Sequence, residues 1–140
     1  MTDEIARIVR ETRTIAVVGL SPKPERPSHG VARFLQNSGF RIIPVNPGHA
    51  GSTILGETVY ASLSDIPADI PVDMVDVFRQ SEAVPAIVDE AIASLPGLRT
   101  IWTQIGVRHD EAAATARQAG LTVVQNRCPK IDFPAYLPRR

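Results

Sequence analysis

Thr14-Ile-Ala-Val-Val-Gly19, then Leu20-Ser-Pro-Lys-Pro-Glu-Arg-Pro27, then Ser28-His-Gly-Val-Ala-Arg-Phe-Leu35, is the stretch on which the fold turns. The first part is a continuous apolar run closed by a glycine. Strands covered by helices on both faces read as unbroken apolar runs, whereas half-exposed strands alternate. The run is therefore predicted as a buried parallel strand. The loop behind it holds three prolines and four polar residues. Ser28 is a suitable N-cap for a helix whose apolar face is Val31, Phe34 and Leu35. Gly39 stands where a helix C-terminal glycine belongs.

The same alternation continues on both sides. Upstream, Thr2 can cap a short helix with Ile5, Ile8 and Val9 on one face. Downstream, Phe40-Arg-Ile-Ile-Pro-Val45 is a second strand, and Pro44 predicts a bulge or an early end because proline donates nothing to a ladder. Residues 49 to 71 are the least regular part, with a short strand around Glu57 to Tyr60. Val72 to Phe78 is a third main strand. Val84, Ile87, Val88, Ala91, Ile92 and Leu95 form the strongest helical spacing, from a start at Ser81; Pro85 is tolerated in a first turn. Leu98 to Thr103 is the next strand, Asp110 to Gly120 an alanine-rich helix, and Leu121 to Val124 the last strand. Gln125 onward reads as an irregular tail. Strand and helix alternating at this pitch predict an α/β fold: a Rossmann-like, open, mostly parallel five-stranded sheet with helices on both faces.

The chain has 140 residues, which predicts one domain over 1–140. Lys and Arg number 15, as do Asp and Glu, so the formal net charge is zero. No basic stripe is present, so no nucleic-acid partner is expected. No apolar run approaches the roughly 18 residues of a membrane span, and Met1 to Arg13 lacks a signal-like apolar core. The single cysteine, Cys128, allows neither an internal disulfide nor a multi-thiolate metal site. A cytoplasmic compartment is the expectation.

Open parallel sheets bind ligands beyond the carboxyl ends of their strands, near the switch in strand order. Gly19 lets a ligand approach the first turn, and a helix starting near Ser28 offers amides and a positive dipole end to an anion. Lys23 and Arg26 add charge there, and His29 is placed to donate to an anion. The spacing of Gly19 and Gly30 is not that of a dinucleotide-binding glycine motif. After the second strand stands Asn46, where an NAD-binding fold has a carboxylate for the ribose hydroxyls. Phe78 and Arg79 follow the third main strand, and Gln104 and Gly106 the fourth. Asp73 and Asp76, three apart in a strand, point to opposite faces and form no shared dyad. His29, His49 and His109 lie far apart with no metal-like spacing. Trp102 reads as core, and no feature pairs Cys128 with a histidine.

Ile15-Ala-Val-Val-Gly-Leu-Ser-Pro-Lys-Pro24, Val45-Asn-Pro47, Leu55-Gly-Glu-Thr-Val-Tyr60, Val72-Asp-Met-Val-Asp-Val-Phe-Arg79, Ile101-Trp-Thr-Gln-Ile-Gly106 and Arg127-Cys128 occur in that order. Each is weak alone. Together, from about Arg13 to Cys128, the chain resembles the small stand-alone CoA-binding proteins of bacteria and archaea, which are similar to the N-terminal domain of the succinyl-CoA synthetase alpha subunit. The resemblance implies that the ligand diphosphate lies at Gly19, Ser21, Lys23, Ser28 and His29, the adenosine beside Val45, Asn46 and Pro47, and another part of the ligand by Phe78 and Arg79. The relatives usually read Gly-Ala-Ser at the first turn; Leu20 here is larger and is expected to narrow the pocket. No ligase domain is expected in these 140 residues, so the resemblance implies binding and not catalysis. Independently, a ribose that carries a phosphate, as in CoA, would be repelled by a carboxylate after the second strand, and Asn46 meets that need.

The expected function is therefore binding of coenzyme A or an acyl-CoA by a stand-alone binding or regulatory module without chemistry of its own. The competing readings are a small enzyme acting on a CoA thioester or nucleotide through Cys128 or His29, and a thiol-linked protein whose Cys128 forms a mixed disulfide with CoA. The expected partners are the small-molecule CoA ligand and, beside it, a second copy of the chain as a homodimer or an unidentified protein partner.

Overall fold

The computed structural model describes residues 2–138. Five strands form one parallel sheet: β1 (Thr14–Val18), β2 (Arg41–Val45), β5 (Met74–Val77), β6 (Thr100–Thr103) and β7 (Thr122–Val124), in the order β2-β1-β5-β6-β7. The helices between them are α2 (Pro27–Asn37), α3 (Val84–Ser94) and α4 (Asp110–Gln118); α1 (Thr2–Glu11) precedes β1 and the four-residue α5 (Pro129–Asp132) follows β7. The order reverses between β1 and β5, so the switch point lies at Gly19 and Phe78. This is the α/β, Rossmann-like, five-stranded architecture expected from the sequence.

The apolar runs are continuous because each strand feeds two cores. Ala16, Val18, Ile43, Val45, Val75 and Val77 face α3 and α4, where Val84, Val88, Ala91, Ala112, Ala113 and Ala116 are buried. Ile15, Val17, Ile42, Met74 and Trp102 face the other way, against Ile5, Ile8 and Val9 of α1 and Val31, Ala32 and Leu35 of α2. Successive strand residues point to opposite faces, so both parities must be apolar.

Pro44 neither bulges nor shortens β2. The ladder with β1 runs in register from Arg41 to Val45, with Val17 opposite Pro44. β2 is an edge strand, and Arg41 N donates to Arg13 O on the β1 side, so the amide that residue 44 lacks would point away from the sheet. On that open side Tyr60 N donates to the Pro44 carbonyl at 3.0 Å. The irregular stretch contains a hairpin of β3 (Thr53–Ile54) and β4 (Glu57–Thr58), antiparallel. Its turn, Leu55-Gly56, has φ of 53° and 79°, the pattern of a two-residue hairpin loop. β5 begins two residues later than expected; just before it the Asp73 Oδ2 accepts from Arg13 N at 2.8 Å and Thr14 N at 2.9 Å and ties off the start of β1.

The tail is not irregular throughout. Cys128 leads into α5, and Phe133 behind it is fully buried, stacked edge-on against Trp102 at 5.5 Å and tilted against Phe40 at 5.6 Å. Trp102 Nε1 donates to the Arg127 carbonyl at 2.8 Å, so the core indole has its polar group satisfied. No helix among the described residues is long and apolar enough to cross a membrane.

Candidate functional site

Three cavities lie along the carboxyl ends of the strands and share walls. The first, about 390 Å³, is lined by Gly19, Ser21, Pro22, Lys23, Arg26, Pro27, Ser28, His49 and Phe78. The second, about 750 Å³, is lined by Pro27, Val31, Phe78, Arg79, Gln80, Gln104, Ile105, Val107 and Cys128. The third, about 220 Å³, lies across the switch point between β2 and α3, with Val18, Val45, Pro47, Ala61, Ser62, Leu63, Arg79, Ala83, Ala86, Ile87 and Glu90 on its walls. Pro27 and Phe78 are common to the first two, and Arg79 to the last two.

The first cavity is built by the turn at Gly19 and the start of α2. Gly19 has φ of 90°, and its amide donates to Val45 O at 2.8 Å. A Cβ there would collide with the Phe78 carbonyl and stand 3.1 Å from Arg79 Cδ. The glycine is thus required first by the close approach of the neighbouring strand end, not by a ligand. Helix α2 begins at Pro27 with Arg26 as N-cap, so Ser28 is not the cap expected from the sequence. Its hydroxyl instead accepts from Ser21 N at 3.0 Å, and Ser21 Oγ accepts from Lys23 N at 3.1 Å, folding the loop back over the helix start. Arg26 makes no side-chain cap and the first turn carries no acid, so the positive end of the helix is left to whatever occupies the cavity. Among the described residues Lys23, Arg26 and Arg79 take part in no ion pair.

Several expected site residues lie elsewhere than the sequence reading put them. Leu20 does not narrow the pocket: it is fully buried in the α2-side core. His29 is 8% exposed and lines none of the three cavities, and its Nδ1 has no hydrogen-bond partner. A side chain one residue further along a helix rotates by about 100°, which carries position 29 off the wall that Ser28 shares. Asn46 acts as a brace. Its Nδ2 donates to Leu20 O at 3.0 Å and its Oδ1 accepts from Gly48 N at 3.0 Å, which couples the first two strand-end loops. An aspartate could not make the first of these bonds. Gly106 lies outside the cavity walls; its φ is 87°, and its amide donates to Asn126 Oδ1 at 2.7 Å. Val45 and Pro47 line the third cavity, and Phe78, Arg79 and Gln104 the second.

The sequence reading missed His49 as a wall of the cationic cavity. It lies two residues past Pro47, and extending the strand-end rule by one short turn would have found it. Ile105, Val107 and Val31 were also missed, since an apolar wall has no signature distinct from core. Cys128, weighed from the sequence as a nucleophile or a disulfide partner for CoA but not as a wall residue, is buried and lines the second cavity. His109 caps α4, its Nδ1 accepting from Ala112 N at 3.1 Å. Below the second cavity, Asp76 is fully buried, and burial pushes its carboxyl well above the usual range. The Gln104 side-chain amide packs against both Asp76 carboxyl oxygens, at 3.1 and 3.2 Å. Glu90, the one carboxylate on these walls, is held by Ser64 Oγ at 3.0 Å and Leu63 N at 3.3 Å.

The site therefore offers a cationic pocket that shares a wall with a larger, less polar one, with a third across the switch point, a form suited to a long ligand that carries anionic groups. The chain is 38% identical over 128 residues to the uncharacterized protein YneT of Bacillus subtilis, covering 91% of this chain and 90% of that one. Its fold matches the structure of the cell-free protein ID.343 from Thermus thermophilus with a TM-score of 0.89 at 36% identity, over 98% of this chain and 99% of that one. A hypothetical protein from Pyrococcus horikoshii matches with a TM-score of 0.88 at 33% identity, over 97% and 92% of the two chains. The CoA-binding domain family matches residues 13–134. Over nearly all of its length, the chain belongs to the CoA-binding domain family.

Proposed function

We propose that this protein binds coenzyme A or an acyl-CoA across the three cavities. The diphosphate occupies the first, between Gly19, Ser21, Lys23, Arg26 and Ser28 at the start of α2. The adenosine lies toward Val45 and Pro47 in the third, and the pantetheine arm runs past Phe78 into the second. The observation that carries this reading is the cationic cavity at the switch point, with Lys23 and Arg26 on its wall and Arg79 on the two cavities beside it, none with an acidic partner among the described residues. Such groups favour a phosphate. Asn46 after β2 supplies no carboxylate, which favours a ribose phosphate over free ribose hydroxyls.

The role is that of a binding or regulatory module. Of the two residues considered for chemistry, Cys128 lines the cavity of the pantetheine arm, whereas His29 lines none. Calorimetry with CoA, dephospho-CoA and NAD tests the ligand. CoA is expected to bind most tightly, and binding of NAD without CoA would overturn the reading. Turnover of an acyl-CoA panel that is lost in Cys128→Ser would favour an enzyme instead.

A further inference from the structure

His49 stands on the wall of the first cavity with Ser21, Lys23, Arg26 and Ser28, and no wall residue there is acidic. Backbone bonds set its place. In the turn Pro47–His49, His49 N donates to Asn46 O at 3.1 Å and Gly48 N to Asn46 Oδ1 at 3.0 Å. Ser52 N donates back to His49 O at 3.1 Å. Asn46 Nδ2 ties this turn to the loop after β1 through Leu20 O. None of these bonds uses the imidazole. His49 is exposed, and its ring enters no ion pair among the described residues.

Charged groups approach this position from four sides. From the loop before α2, Lys23 and Arg26 share the cavity, and Glu25 between them is off the wall and makes no ion pair among the described residues. Beyond β5, Arg79 lies on the two neighbouring cavities. On the hairpin that follows, Glu57 is bound to Arg41 at 2.9 Å. On α2, His29 is buried and off the wall. The imidazole thus faces a space shared with two fixed cations and no wall carboxylate. An anion held in that space favours the protonated ring, in which both nitrogens are donors. Histidine changes charge between about pH 5 and 8, whereas lysine and arginine stay charged throughout.

On the reading that CoA is the ligand, we propose that His49 is a third cationic contact to a ligand phosphate and that it makes binding proton-linked. Its turn has Pro47 on the third cavity and His49 on the first, so the phosphate in question is the diphosphate or the one on the ribose. Lys23 and Arg26 supply an attraction that is constant with pH. His49 adds one that is present on the acid side of the histidine range and lost on the alkaline side. The coupling is reciprocal: the proton strengthens the ligand's hold as much as the ligand strengthens the proton's. Binding near neutrality therefore takes up protons at His49.

Calorimetry of CoA and dephospho-CoA at pH 6.0 and 8.0, in two buffers of different ionisation enthalpy, tests this on the native chain, His49→Gln and His49→Lys. The ribose phosphate itself ionises at about pH 6, and His49→Gln subtracts that contribution. From pH 6.0 to 8.0 the native chain should lose about three- to tenfold more affinity for CoA than His49→Gln does. At pH 7 it should take up more protons on binding than that variant. His49→Lys keeps its cation at pH 8.0 and should bind CoA there about three- to tenfold more tightly than the native chain. A merely structural role would weaken both variants alike at both pH values. Linkage with both ligands places the contact on the diphosphate, and linkage with CoA alone places it on the ribose phosphate; either result supports the inference. Equal pH dependence in the native chain and His49→Gln with both ligands overturns it, as does His49→Lys binding no more tightly than His49→Gln at pH 8.0, and CoA binding stands in both cases. If the native chain binds neither ligand at either pH, the proposed function fails and this contact with it.

Discussion

Gly19 carries two demands at one backbone position. Its φ of 90° suits glycine, and the space a Cβ would need is taken by the Phe78 carbonyl at the end of the neighbouring strand. The clash is with backbone, which cannot swing aside as a side chain can. Gly19→Ala is therefore expected to destabilise the fold by on the order of 2–4 kcal/mol, read as a lower urea midpoint with an unchanged slope. A variant as stable as the parent would mean that β1 and β5 can separate without cost. Asp76 makes a second prediction at this scale. Burial raises its folded carboxyl above its unfolded value, so between those two values the native state holds more protons than the unfolded chain. Stability from this group is then fully present below about pH 4, the unfolded value, and is lost as pH rises through the raised folded value. Asp76→Asn removes the dependence. The parent's stability minus that of the variant, measured by denaturation at pH 4 and pH 7, should fall with rising pH. A difference that is flat or that rises would show that the carboxylate is accommodated in its charged form.

Helix α2 with its leading loop is the element on which the site depends. The hydrogen bonds from Ser21 N to Ser28 Oγ and from Lys23 N to Ser21 Oγ curl the loop so that Lys23 and Arg26 stand beside an uncapped helix start. If the diphosphate lies there, Lys23→Ala and Arg26→Ala should each weaken CoA by about three- to tenfold at low salt. The loss should shrink at about 0.5 M salt, where exposed charges are screened within a few ångströms. A loss that is insensitive to salt would point to a packing role for these side chains. At this scale much was legible. The unbroken runs at 14–18 and 41–45 read correctly as strands because both faces are covered. The spacing of Val84, Val88 and Ala91 read correctly as a helix because one face is. Pro44 and Ser28 misled because their local rules were applied without knowing topology: a proline is harmless on an edge strand, and a serine in the first turn of a helix can bond the loop instead of capping. The same limit explains His29 and Leu20. Strand-end logic located the loop, but which of its side chains turn inward is decided by the angle at which α2 meets the sheet.

The whole molecule separates what holds the fold from what holds the ligand. The chain after β7, read from sequence as irregular, closes the α1/α2 side with Phe133 between Trp102 and Phe40. A single buried aromatic in a short tail has no periodicity to reveal it. The cavities lie at the other boundary, along the strand ends, and Phe133 lines none of them. Phe133→Ala should therefore cost about 3–5 kcal/mol in stability, with a change in Trp102 fluorescence as the indole loses its edge-on neighbour. Its ligand response should survive. A ligand at a hundred times its dissociation constant stabilises the native state by about 2.7 kcal/mol regardless of the starting stability, a rise of roughly 5–10 °C in midpoint for a chain of this size. Parent and Phe133→Ala should show equal free-energy increments on saturation with CoA, from different baselines. A smaller increment in the variant would mean that the tail also shapes the cavity, through Cys128, which stands on its wall five residues before Phe133.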